Sequence, residues 1–204
     1  MLQVAVGASV SATIKAAWSA TSDTFNFGDA LITTSGLAVD LSGVSSGAGW
    51  DVLNKGKATT LTGSMFDDTL TAGSGNDVLQ GGAGNDTLIG GKLADTMTGG
   101  VGADIFQLNG LKGNATAHHI TDFVSGQDHI ALDSKIYKAL GLGTLADSAW
   151  VNGTTATNTN QHILYNSSNG ELFYDVDGSG KKAAVLIGVV DNHAALTHGD
   201  FMVV

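Results

Sequence analysis

Asp68, Asp77, Asp86, Asp95 and Asp104 stand nine residues apart, and a carboxylate recurring at a fixed interval is raw material for a cation site built from oxygen. Around them the chain reads GSMFDDTLT (63–71), AGSGNDVLQ (72–80), GGAGNDTLI (81–89), GGKLADTMT (90–98) and GGVGADIFQ (99–107). Aspartate fills position six of every copy, and an apolar residue fills position eight: Leu70, Leu79, Leu88, Met97 and Phe106. Calcium takes about 6–8 oxygens at ~2.3–2.6 Å, drawn from carboxylates and backbone carbonyls. The repeat can supply both. Glycines at positions one, two and four permit a tight turn with positive φ angles that aim carbonyls at one point. The short aspartate side chain keeps its carboxylate close to that turn. A flexible glycine-rich linker would share this composition, but it has no reason to hold Asp and an apolar residue in phase over residues 63–107.

To position those carboxylates, each unit must be a six-residue turn followed by a three-residue strand: TLT, VLQ, TLI, TMT, IFQ. Only the middle strand residue points inward. Nine residues then make half a coil and eighteen a full one, with coils stacked at the strand spacing of about 4.8 Å. Consecutive repeats lie on opposite faces of a flattened parallel roll. A ring of ligands needs two turns stacked on the same face, eighteen residues apart. One face therefore pairs Asp68 with Asp86 and Asp86 with Asp104, and the other pairs Asp77 with Asp95. Three calcium sites are expected, with carbonyls supplied from positions one and three: Gly63, Ala72, Ser74, Gly81, Ala83, Gly90, Gly99 and Val101. Phe66 and Leu93 replace the position-four glycine, so the turns 63–68 and 90–95 are expected to be reshaped. Asp86, with an intact turn and partners on both sides, is the strongest candidate ligand.

Composition supports this reading. The 204 residues carry a formal net charge of −10, with 18 aspartates against one glutamate, nine lysines and no arginine. Aspartate and the 29 glycines favour turns and caps over helices. So acidic a chain argues against nucleic-acid partners, and no segment reaches the ~18–20 apolar residues of a membrane span. Six aspartates and a single lysine, Lys92, lie between residues 67 and 104, a stretch that repels itself unless a cation intervenes. Cysteine and proline are absent, so disulfides hold nothing together. The expected fold is all-β: a parallel β-roll over 63–107, flanked by a β-rich segment 1–62 and a β-rich capping region 108–204. Stepping the repeat backwards gives NKGKATTLT (54–62), a further coil with Thr59 in place of the ligand; before it the phase is lost. DSKIYKALG (133–141) is the best short helix, and DVDGSGKK (175–182) reads as a hairpin turn between apolar strands. The start of the chain lacks the basic residues and compact apolar run of a signal peptide.

The nonapeptide pattern, together with ITDFVSGQDHIAL (120–132), ILYNSSNGELFYDVDGSG (163–180) and a terminal DFMVV, resembles the C-terminal calcium-binding domain of RTX proteins. The related domain of serralysin-type proteases is similar. The resemblance covers about two thirds of the chain, and residues 1–62 lie outside it. It implies export from a Gram-negative bacterium through the type I secretion apparatus in an unfolded state. An uncleaved signal in the last 40–60 residues would direct that export, and calcium would drive folding outside the cell. The family commonly has I-D-L where this chain has Ile130-Ala131-Leu132, so an extra metal site there loses a carboxylate. Asp122 and Asp128 are the remaining candidate ligands beside it. Asp175, Asp177 and Ser179 mimic the start of an EF-hand loop, but its twelfth position is Leu186 instead of the bidentate glutamate.

No catalytic constellation stands out. There is no H-E-x-x-H zinc motif. Gly43-Val44-Ser45-Ser46-Gly47 matches G-x-S-x-G only formally, because the strand–turn–helix that motif needs has no room here. His118 and His119 read as a solvated loop. The expectation is a non-catalytic calcium-binding module that folds on calcium and supports secretion of a larger exported protein. Two alternatives stand beside it: a calcium-dependent structural segment of a surface layer or adhesin, with self-association, and the tail of a secreted protease or lipase.

Overall fold

Residues with alternating exposure and no helix-length apolar period should pair into sheets, and they do. The computed structural model describes residues 2–110 and 117–204. Among these the only helical elements are two three-residue 3-10 turns, Asp147–Ala149 and His198–Asp200. The rest of the regular structure is strand. Two long sheets run the length of the molecule, of nine and ten strands, beside a small three-stranded sheet.

The repeats set the register. Thr69, Leu70 and Thr71 lie beside Thr87, Leu88 and Ile89, which lie in turn beside Ile105, Phe106 and Gln107. On the opposite sheet Thr60–Thr62 pairs with Val78–Gln80, and Val78–Gln80 with Thr96–Thr98. All these pairings are parallel and eighteen residues apart, so each coil is two nonapeptides. Leu61, Leu70, Leu79, Leu88, Met97 and Phe106 are wholly buried between the sheets. Each such side chain contributes roughly 1.5–3 kcal/mol by leaving water. The residues on either side of each buried centre are half-exposed or exposed, because successive side chains of a strand point to opposite faces.

The flanks extend the same sheets. Asp51–Asn54, Asp29–Thr34 and Ser9–Thr13 continue the first sheet toward the N-terminus, and Val39–Asp40 and Trp18–Ser19 continue the second. Their coils are longer than those of the repeats: Leu31 pairs with Asp51, twenty residues on, and Val39 with Leu61, twenty-two on. At the other end, His129–Leu132 and Phe201–Val203 extend the first sheet and His118–Ile120 and Val185–Val190 the second. A meander of Ile163–Asn166, Glu171–Tyr174 and Val185–Val190, antiparallel throughout, closes that end. The turn 175–182 connects two of its strands, where a hairpin was expected.

The helix expected at 133–141 does not form. Asp133 does accept from the N–H of Tyr137, one α-turn, but the Ala139 N–H is taken by the Tyr174 hydroxyl at 3.0 Å. Tyr137, fully buried, packs edge-on against Tyr174 at 5.2 Å. Tertiary contacts with the meander outcompete a helix of barely two turns. No helix of the described residues is long and apolar enough to cross a membrane.

Candidate calcium sites in the repeat turns

Parallel stacking brings the position-six aspartates into two ladders. On the first face the backbone N–H of each rung donates to the carboxylate of the next. Trp50 donates to Asp68 Oδ1 (2.6 Å), Asp68 to Asp86 Oδ1 (2.7 Å), Asp86 to Asp104 Oδ1 (2.9 Å) and Asp104 to Asp128 Oδ1 (3.0 Å). On the second face Thr59 donates to Asp77 Oδ1 (2.7 Å) and Asp77 to Asp95 Oδ1 (2.8 Å). All these aspartates are at most 3% exposed. A buried carboxylate has to be paired, hydrogen-bonded or metal-bound. The second oxygen of each therefore decides what the ladders can do.

The two faces differ there. On the second face Asp77 Oδ2 accepts from Gly73 N–H (2.9 Å) and Asp95 Oδ2 from Gly91 N–H (2.6 Å), both within their own turns. On the first face Asp68 Oδ2 is similarly held by Ser64, through its N–H and hydroxyl. Asp86 Oδ2 has no hydrogen-bond partner although it is buried. The cause lies in the glycines. Only the turns 81–86 and 99–104 carry glycine at positions one, two and four together, and they alone among the repeats have positive φ at positions two and four: Gly82 115°, Gly84 106°, Gly100 101° and Gly102 149°. Their strands run on through position three, so Gly82 lies beside Gly100 in the sheet. A Cβ on Gly100 would sit 2.0 Å from the Gly82 carbonyl oxygen.

This frees oxygen to converge. The place a Cβ would take on Gly81 lies 2.2 Å from Asp86 Oδ2 and 2.6 Å from the Gly99 carbonyl oxygen. On Gly63 it lies 2.1 Å from the Gly81 carbonyl and 2.7 Å from Asp68 Oδ2, and on Gly99 it lies 2.2 Å from Asp104 Oδ2. Missing side chains thus leave cradles lined by carboxylate and carbonyl oxygens, the donor set calcium takes. Among the described residues no three carboxylates or imidazoles gather at one point, so a cation here must draw on carbonyls. The donors present fit calcium.

Not every expected carbonyl is placed alike. Gly81 and Gly99 point into the cradles. The Gly90 carbonyl accepts the Asn109 side-chain amide (3.0 Å) and that of Val101 accepts Gly84 N–H (2.9 Å). Ala83 and Ser74 donate their N–H groups to Ser64 and Gly56 carbonyls; Ala72 adjoins the second-face turn, its N–H bonded to the Ile89 carbonyl. Asp122 is occupied by the N–H groups of Gly99 (2.9 Å) and Gly100 (2.8 Å), while Asp128 forms the fourth rung of the first ladder. The expectation of a solvated loop at His118 and His119 is wrong for the first of them. Both belong to the strand His118–Ile120, and His118 is 2% exposed. Its Nδ1 lies 3.3 Å from Asp95 N and 3.2 Å from Asp95 Oδ2. His119 is half-exposed and bonds Asp191 (2.8 Å). Nothing local in the sequence distinguishes the two; strand alternation alone turns one inward.

Burial pushes the carboxyl of Asp86 up to about 7, with the charges of Asp68, Asp104 and Asp67 adding to it, and burial raises Asp68, Asp104 and Asp128 too. A carboxyl raised in the folded state binds its proton more tightly there than in the unfolded chain. Its stabilising effect is present at low pH and is lost as pH rises through the folded value, near 7 for Asp86. Asp200 is opposite in sign: hydrogen bonds from Thr197, Gly126 and Ser125 outweigh burial and lower it, so its contribution is lost only below the ordinary carboxylate range. Metal-free protein should consequently melt several degrees higher at pH 5 than at pH 8. Calcium needs the deprotonated form, so the gain in melting temperature on adding calcium should be smaller at pH 5 than at pH 8. Scanning calorimetry at the two pH values, with and without calcium, checks both; a calcium-induced gain as large at pH 5 as at pH 8 contradicts the assignment.

A solved structure similar to this chain is the solution structure of the AlgE6R3 subunit from the Azotobacter vinelandii mannuronan C5-epimerase, 24% identical over 72% of this chain and 78% of that one, with a TM-score of 0.46. No curated protein sequence matches the chain. Residues 62–97 match the family model of the RTX calcium-binding nonapeptide repeat, in four copies. That span holds Asp68, Asp77, Asp86 and Asp95 and stops short of the turn carrying Asp104. The chain thus carries RTX calcium-binding nonapeptide repeats, stacked as a parallel β-roll.

Proposed function

We propose that this chain is a calcium-loaded structural module, without catalytic chemistry of its own, whose fold is completed by the metal outside the cell. The observation that carries this reading is the buried, unpartnered Oδ2 of Asp86 facing the Gly99 carbonyl across the space left by Gly81. Asp86 would be shared by two sites on the first face, one with Asp68 and one with Asp104, completed by the carbonyls of Gly63, Gly81 and Gly99. Asp77 and Asp95, with Ala72, Ser74 and Gly90, would form a third site on the second face. The metal supplies positive charge to a stretch of six aspartates. The protein supplies the spacing that lets one carboxylate serve two turns.

Residues 1–62 would be coils that need no metal: buried Asn26, Thr34 and Asn54 donate their side-chain amide or hydroxyl hydrogens to backbone carbonyls there. Residues 63–107 would be the calcium-responsive roll, and 108–204 the cap, its end serving as the signal for type I export. Calcium is scarce in a bacterial cytosol and plentiful outside it. A chain whose charge repulsion is relieved only by calcium can stay unfolded during transport and fold on release, which supports assignment to the extracellular space of a Gram-negative bacterium and to export of a larger protein. Isothermal titration of metal-stripped protein is the test. Binding at about 10⁻⁴–10⁻³ M is expected for an extracellular calcium module, with no comparable heat from magnesium. Equal heats for both ions, or none for calcium, would remove the reading.

A further inference from the structure

The second ladder ends differently from the first. At the fourth rung of the first face stands a carboxylate, Asp128, accepting the Asp104 N–H. At the equivalent position on the second face stands His118, whose Nδ1 accepts the Asp95 N–H (3.3 Å) and lies 3.2 Å from Asp95 Oδ2. The imidazole also fills space. A Cβ on Gly90 would meet the ring at 2.8–3.1 Å, whereas the matching points over Gly63, Gly81 and Gly99 meet a carboxylate or carbonyl oxygen first, at 2.1–2.2 Å, with the Phe106 ring 2.9 Å from the last of them. At the other end of the face, Asn54, 1% exposed, donates its amide to Asp77 Oδ1 (2.9 Å), and its Nδ2 lies 2.8 Å from the place a Cβ would take on Gly73. Side-chain nitrogen therefore stands at both ends of the second-face ladder, beside the Gly56 carbonyl oxygen at one end and over Gly90 at the other. Every carboxylate oxygen of Asp77 and Asp95 already has a partner in the protein.

We infer that the two faces load calcium in order, the first before the second, and that His118 is the residue that holds the second-face site at lower affinity. The inference rests on the calcium reading above. A cation drawing on Asp95 Oδ2 has to displace the Gly91 N–H (2.6 Å) and move aside the His118 imidazole standing 3.2 Å away, whereas one entering beside Asp86 meets an oxygen with nothing to give up. A hydrogen bond to a charged group corresponds to about ten- to hundredfold in affinity. His118 touches a proposed ligand and not the metal, so its role is to position Asp95 and to exclude the ion.

Residue-resolved amide spectra of the full chain, recorded as calcium chloride is added to metal-stripped protein, separate the outcomes. In wild type the amides of turns 63–68, 81–86 and 99–104 should shift in a first phase, and those of 72–77 and 90–95 in a second at about tenfold higher calcium. His118→Asp places a carboxylate beside Asp95, as Asp128 is placed beside Asp104, and should draw the second phase toward the first by about tenfold while leaving the first unmoved. His118→Asn keeps both an acceptor and a donor and should behave as wild type. This control separates hydrogen bonding from a mere repacking of the ring. A single concerted phase in wild type, an unmoved second phase in His118→Asp, or His118→Asn behaving like His118→Asp would overturn the inference. If calcium shifts no amide on either face, the proposed function itself fails, and the ordering fails with it.

Discussion

Removing calcium should lower the melting temperature of this protein by about 6–13 °C. At roughly millimolar calcium, a site of ~0.1 mM affinity stabilises the folded state by about 1.4 kcal/mol. Two first-face sites give about 3 kcal/mol, to which a second-face site about tenfold weaker adds a few tenths, and for a chain of this length 1 kcal/mol moves the midpoint by roughly 2–4 °C. Set against the ~5–15 kcal/mol of an ordinary domain, that is enough to decide how much of the chain is folded at any moment. The effect should be specific. Magnesium demands near-octahedral geometry at shorter distances and gives up its waters reluctantly, so it should restore little of the loss in chelator. Differential scanning calorimetry in calcium, in chelator and in chelator with excess magnesium is sufficient. A midpoint indifferent to chelator would mean that the hydrogen-bonded ladders carry the turns unaided.

How much of this was legible in the sequence depends on where the chain keeps a constant coil length. From Thr60 to Gln107 each coil is eighteen residues, so the pairing of Thr69 with Thr87 and of Leu79 with Met97 follows from counting alone. The stacked aspartates and the buried position-eight residues follow with it. Outside that stretch the count fails because the turns change length. Val39 reaches Leu61 only after twenty-two residues, and Thr96 reaches His119 after twenty-three. A pattern search tuned to nine cannot phase such coils, although their strands occupy the same sheets. For the same reason His118 could not be seen as a rung of the second ladder, nor Asp128 firmly as the last rung of the first. The difference between the faces was half visible: Phe66 and Leu93 mark turns that cannot follow the glycine geometry. That Ser64, Gly73 and Gly91 would then satisfy the carboxylates follows from the backbone direction each turn takes, which the glycine pattern sets only in combination with the stacked neighbours. The false helix at 133–141 has a long-range cause, since the hydroxyl that takes the Ala139 N–H belongs to Tyr174.

Asp86→Asn should change the sign of its effect with the medium. Asp86 Oδ1 accepts the Asp68 N–H, a bond the asparagine oxygen can keep. The other oxygen, buried without a partner, gives way to an amide that can donate toward the Gly99 carbonyl, since both groups lie within 2.6 Å of the same point above Gly81. A buried unsatisfied polar atom costs about 1–3 kcal/mol, so in chelator the variant should melt at or above the wild-type temperature. With calcium present the order reverses. Two first-face sites share this carboxylate, and losing both at ~1.4 kcal/mol each removes about 3 kcal/mol, so the variant falls below calcium-loaded wild type by that loss less its gain in chelator. Asp77→Asn is the contrasting case. Both Asp77 oxygens already accept hydrogen bonds, from Thr59, Asn54 and Gly73. An amide there sets donor against donor and should destabilise the fold in either medium. Melting curves of the two variants with and without calcium give four numbers, and a loss at Asp86 of the same size in chelator as in calcium would show that its carboxylate serves the fold and not the metal.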